Sequence, residues 1–169
     1  EDANFFNHQG ISYKGLIRSL VRCLSSKGCV GGGGTITMQV VRGYLLTRDQ
    51  TLIRKIKEIY LALELEGNLT KEEIFELYVN RIFLGNRSYG IEAAANTYFD
   101  KKLEDLTLSE SATIAALVQL PSRVNPVKDP RRTIQRRDWI LSRMLILDYI
   151  DLGQYEEAIN QDLKLAKNI

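Results

Sequence analysis

The sequence predicts a mainly α fold, and three observations predict it. Apolar residues recur at spacings of three and four through almost every segment, the repeat of a helix with one buried face. Residues that start helices, and glycines or prolines that stop them, stand at the segment boundaries. No run alternates apolar and polar residues between turn signals, as a half-buried strand would.

Each element has its own justification. A first helix opens at Ser12, carries Leu16, Ile17, Leu20, Val21 and Leu24 on one side, and ends at Gly28. Gly31, Gly32, Gly33 and Gly34 then break regularity, because four glycines lose too much backbone entropy to sit in a helix. That run reads as a flexible loop, or as a place where backbone approaches a ligand closely. From about Thr51 a second helix reaches Glu66, with Leu52, Ile53, Ile56, Ile59, Tyr60 and Leu63 on its apolar side. Arg54, Lys55, Lys57 and Glu58 occupy its other face, and Gly67 with Asn68 ends it. Thr70 and Glu73 form a capping box for a helix through Ile74, Leu77 and Tyr78, and Gly85 and Gly90 punctuate the loop that follows. A second capping box, Thr107 with Glu110, opens an alanine-rich helix that Pro121 stops. Asp129 before Pro130 starts a long basic helix toward Tyr149, and a short helix follows Gly153.

A chain of 169 residues suits one domain. Its 44% hydrophobic and 26% charged composition, with three prolines, excludes a disordered chain. A formal charge of +2 gives no argument for nucleic acid. The cations are instead gathered locally, at Arg42 and Arg54 to Lys57, and at Arg131 to Arg143. No run approaches the ~20 apolar residues of a membrane span, and no signal peptide is visible. The chain is read as soluble, or as a domain cut from a longer, anchored protein, with residues 1–169 as one domain. Cys23 and Cys29 lack zinc-site spacing; a disulfide and two unpaired thiols both stay open. His8 is the only histidine, which excludes a histidine-based triad or metal cluster within one chain and suits a structural hydrogen bond.

Five segments carry the chemistry: EDANFFNHQG from Glu1, GGGTITMQ from Gly32, RKIKE from Arg54, KEEIFELYVN from Lys71 and RRDWILSRM from Arg136. In this order and spacing they resemble the peptidoglycan glycosyltransferase domain, glycosyltransferase family 51, of class A penicillin-binding proteins. The resemblance covers essentially the whole chain and is strongest to the penicillin-binding protein 1A branch. It implies a lysozyme-like helical domain with a substrate cleft and a flexible glycine-rich loop.

The family pattern implies roles residue by residue. Glu1 matches the general base, which takes the proton from the 4-hydroxyl of the acceptor sugar. Glu58 matches the second acidic position; read alone, Arg54 and Glu58 are also an ordinary pair four apart on an exposed helix face. Arg54 and Lys55 match the basic pair, and Arg42 stands where the family usually has Lys. Asp2, Thr35, Thr37 and Gln39 fill further substrate-binding positions. The implied partners are lipid II, the growing glycan strand, the outer face of the bacterial cytoplasmic membrane and other cell-wall synthesis proteins. The leaving group, undecaprenyl diphosphate, needs electrostatic stabilisation more than protonation. A divalent cation such as magnesium could accompany the diphosphate, although no residue is an assured metal ligand. The chain departs from the family pattern at Gly34 in place of Ser, Met38 in place of Gln and Gly43 in place of Asn. A muramidase-like hydrolase and a non-catalytic domain that binds lipid-linked precursors are the competing readings.

Overall fold

The computed structural model describes residues 2, 4–13, 15, 17, 34–46 and 52–167. Among them the architecture is helical: α1 (Ile36–Tyr44), α2 (Leu52–Asn68), α3 (Lys71–Val79), α4 (Ile91–Phe99), α5 (Leu108–Leu117), α6 (Pro130–Ile146) and α7 (Leu152–Asn160), with 3-10 turns at Phe5–Asn7 and Leu103–Asp105. The single β-type pairing described is an isolated bridge between Phe83 and Tyr89. Two compact units divide the chain, Glu1–Arg81 and Ile82–Ile169. Of the expected first helix, Tyr13, Gly15 and Ile17 are described and helical, and Ser12 Oγ accepts from the Gly15 N–H at 3.3 Å. The remainder of that helix, the glycines at 31–33, Cys23 and Cys29 lie outside the described residues.

In the first unit α1, α2 and α3 pack on one another, with Met38, Val41 and Ala62 at the centre and Ile59, Leu61 and Leu65 around them. Thr35 caps α1 by accepting from the Met38 N–H, and Thr70 with Glu73 closes the capping box expected for α3.

The orientation of α2 departs from the expectation at most positions, although Ile59 does pack inward and Lys57 is exposed. Ile53, Ile56 and Tyr60 are 68%, 67% and 66% exposed and Leu63 is exposed as well, whereas Glu58 and Ala62 are fully buried. The face that meets α1 is therefore the one carrying the small Ala62 and the carboxylate. Hydrophobic burial alone would turn the helix the other way, but the cations around Glu58 satisfy its charge, and Ala62 admits close backbone approach. Gly67 and Asn68 are the last residues of α2, and the Leu69 N–H closes its final turn by donating to the Leu65 carbonyl at 2.9 Å.

The second unit packs α4 and α5 around Leu84, Tyr98, Ile114 and Leu117, and packs α5, α6 and α7 around Ala112, Leu141 and Ala158. The Thr107–Glu110 capping box and the Asp129 cap before Pro130 form as expected. Helix α4 falls in the stretch that reads as loop. Its N-cap is Gly90 at φ +84, which has no side chain to announce a helix start. Helix α6 ends at Ile146, short of Tyr149. Asp148 takes φ +57 there, and the Tyr149 and Asp148 N–H groups return to the Met144 and Leu145 carbonyls at 2.9 and 3.1 Å. This is a Schellman stop built without glycine. Helix α7 starts before Gly153, at Leu152, through a capping box of Asp151 and Gln154.

The basic RRDWILSRM segment braces this unit. Arg137, 2% exposed, donates to Ser109 Oγ on α5 at 3.1 Å and to the Ile159 and Gln161 carbonyls at the end of α7 at 3.1 and 3.0 Å. A guanidinium suits the electronegative end of a helix. Trp139 is half exposed with Arg136 stacked 4.1 Å from its ring centre, while Met144 is partly buried.

Gly85 sits at φ +85 under the buried Tyr98 hydroxyl, which donates to the Leu84 carbonyl at 2.8 Å and accepts from Asn125 Nδ2 at 3.2 Å. A Cβ at Gly85 would lie 2.8 Å from the Tyr98 hydroxyl and 2.9 Å from both Asn125 Nδ2 and the Pro121 carbonyl. Gly85→Ala is expected to cost about 2–4 kcal/mol, combining left-handed backbone strain with overpacking; a urea midpoint unchanged from wild type would reject this. Burial raises the Tyr98 phenol above its ordinary value, partly offset by the hydrogen bond from Asn125. The unfolded tyrosine then loses its proton first, so the folded state holds more protons and stability falls as pH climbs past about 10. Tyr98→Phe should flatten that part of the alkaline unfolding curve.

Candidate active site

The first unit gathers the residues expected to act on substrate into two groups, one that ties residues 2–10 to the start of α1 and one around Glu58. Asp2 Oδ2 accepts from the Ile36 N–H at 3.0 Å and from His8 Nε2 at 2.9 Å. Thr35 Oγ1 donates to the Gly10 carbonyl at 2.6 Å. Gly10 itself, at φ +75, lies so close to α2 that a Cβ would fall 2.9 Å from Glu66 Cγ and 3.0 Å from the Ala62 carbonyl. Phe5 is buried with Lys71 Nζ 4.6 Å from its ring centre. Lys71 also donates to Glu66 at 2.7 Å, and Thr37 Oγ1 donates to the same carboxylate oxygen. His8 thus makes the structural hydrogen bond expected of it, and the hydroxyls of Thr35 and Thr37 are buried in these contacts.

In the second group, Glu58 on α2 is fully buried and meets three cations. Arg42, on the last turn of α1, donates through Nε to Oε1 at 3.1 Å and through Nη2 to Oε2 at 3.4 Å. Lys55 Nζ reaches Oε2 at 3.1 Å, and Arg54 Nε lies 3.4 Å from Oε1. The side chains of Arg42, Arg54 and Lys55 remain 32%, 15% and 27% exposed, against 1% for Glu58. The surface-pair reading of Arg54 and Glu58 is therefore overturned: the carboxylate is interior, and a cation from a different helix completes it.

Three cations facing one carboxylate leave a positive excess on the solvent side. A buried carboxylate unpaired would be costly, and here its charge fixes the guanidinium and ammonium groups in place. Such a cluster has the chemistry to receive an anion, phosphate above all, since a guanidinium matches two phosphate oxygens at once. The donors do not fit a divalent cation: both Glu58 oxygens are already engaged, and three positive charges surround them. Among the described residues no group of three His, Cys, Asp or Glu side chains could hold a metal ion.

Gln39 is half-buried on α1, and Glu1 lies outside the described residues. What sequence reasoning missed is the pairing of Glu66 with Thr37 and Lys71, which joins α1, α2 and the start of α3. The signal was there in part, because Lys71 opens a recognised segment, but no local spacing links it to residue 37.

The sequence profile of the family described as Transglycosylase matches residues 1–145. Penicillin-binding protein 1A of Pseudomonas aeruginosa is 50% identical over 169 residues, which are all of this chain and 21% of that protein. That of Aquifex aeolicus is 45% identical over 99% of this chain and 23% of its own length. The chain thus spans about a fifth of these relatives. A crystal structure of penicillin-binding protein 1A from Haemophilus influenzae matches 78% of this chain and 16% of its own, with a TM-score of 0.56 and 37% identity. The mainly α fold read from the sequence is the fold of that neighbour. With the match running through both helical units, the chain belongs to the transglycosylase family, as a peptidoglycan glycosyltransferase domain of the penicillin-binding protein 1A type.

Proposed function

We propose that this domain polymerises lipid II into glycan strands at the extracytoplasmic face of the cytoplasmic membrane. The observation that carries the reading is the cluster of Arg42, Arg54 and Lys55 around buried Glu58. In the reaction, Glu1 takes the proton from the 4-hydroxyl of the acceptor sugar as that oxygen attacks the anomeric carbon of the donor. The bond to the lipid diphosphate breaks with its electron pair on the departing phosphate oxygen, and inversion yields a β-1,4 link. Undecaprenyl diphosphate leaves already charged, so fixed cations, not an acid, are what the departure needs. Glu58 holds those cations in register.

A lipid-linked substrate must be taken from a membrane, and the exposed stripe of Ile53, Ile56, Tyr60 and Leu63 on α2 supports contact with a membrane surface. Among the described residues no helix is long and apolar enough to cross one. The cation cluster speaks against a hydrolase, because glycan cleavage by water has no diphosphate to hold. Incubation of the natural protein with labelled lipid II separates the readings. Polymer with released lipid diphosphate is the expected outcome. Short cleavage products would point to a hydrolase, and retention without product to a binding domain; either would overturn the proposal.

A further inference from the structure

Residues 34, 38 and 42, where this chain carries Gly, Met and Arg against the Ser, Gln and Lys of the family pattern, are spatial neighbours. We propose that these departures form one coupled unit, in which Gly34 makes room for a guanidinium at the anion site. A Cβ on Gly34 would stand 3.0 Å from Arg42 Nη2, 3.4 Å from Met38 Cβ and 3.9 Å from Met38 Sδ. Gly34 is not among the positive-φ glycines, so space is what the position demands. Nη2 is also the atom that reaches Glu58 Oε2 at 3.4 Å, and a side chain at 34 would make it give by a few tenths of an ångström, weakening a contact that is already long.

Met38 completes the unit. It is buried against Val41 and Ala62 and brings no amide to compete with Glu58 for the guanidinium donors. With Nε and one Nη2 hydrogen directed at Glu58, the outer edge of the Arg42 fork stays available to a pair of phosphate oxygens. A lysine at 42 would be a point charge needing no such room. Gly34 is therefore a positioning residue acting through Arg42, and the unit makes this site a bidentate reader of diphosphate.

The inference rests on the anion-site reading, and the test keeps the two apart. Calorimetric titration of the natural protein with inorganic diphosphate is run for Gly34→Ser, Arg42→Lys, the double variant and Arg42→Ala. Each of the first two should weaken binding about tenfold, and the double variant by no more than about one of them alone, the non-additivity of residues sharing one network. The melting temperature of Gly34→Ser should stay within roughly 2 °C of wild type, because only a flexible guanidinium end has to move. Multiplying effects in the double variant, an unchanged affinity in Gly34→Ser, or a melting temperature that falls in step with affinity would each overturn the coupling. Wild-type affinity in Arg42→Ala would overturn the anion site itself.

Discussion

Glu58→Gln is expected to destabilise the fold by about 2–3 kcal/mol and to cut lipid II polymerisation on the order of 10²-fold. The change keeps shape and removes charge. Arg42, Arg54 and Lys55, which meet the carboxylate at 3.1–3.4 Å, would then face one another with a single amide oxygen to share. The amide nitrogen would also point a donor at donors, an unsatisfied contact in a fully buried position. Breaking a wholly buried pair costs more than this, but these cations are partly exposed and can relax toward water. Turnover suffers beyond the stability loss because the leaving diphosphate meets cations no longer held in register. Urea unfolding and polymer formation per folded molecule measure the two effects separately. If polymer formation per folded molecule stayed normal, the cluster would be a structural brace and the proposed function would lose its main support.

The second large effect is expected at Glu1. Glu1→Gln should lower kcat on the order of 10³-fold with little change in KM or in melting temperature, as for a group whose contribution is made in the transition state. Its neighbour Asp2 is held by the Ile36 N–H and by His8, which fixes the backbone one residue away whatever occupies position 1. The glutamine variant therefore removes a base without loosening the segment. Near-normal turnover would remove Glu1 from the mechanism.

Much of this was legible locally. Capping boxes at Thr70 and Thr107 and the Asp129–Pro130 start are bonds between residues a few positions apart, so spacing alone reveals them. Helix α4 and the stop at Asp148 were not legible, because a glycine N-cap and an aspartate in the left-handed region leave no distinctive sequence sign. The facing of α2 failed for a different reason. Periodicity assigns the apolar stripe to the core, but which stripe faces inward depends on what the neighbouring helix offers, and α1 offers Arg42 to a carboxylate sixteen residues away.

By itself the sequence determined the helical class, the family pattern and the identities of the charged residues, since these follow from local spacing and residue chemistry. Only the tertiary structure decided that Glu58 is interior, that Arg42 joins Arg54 and Lys55 on it, and that Gly34 leaves the space Arg42 uses. Those are contacts between elements, whose geometry comes from packing and charge compensation that no single segment encodes.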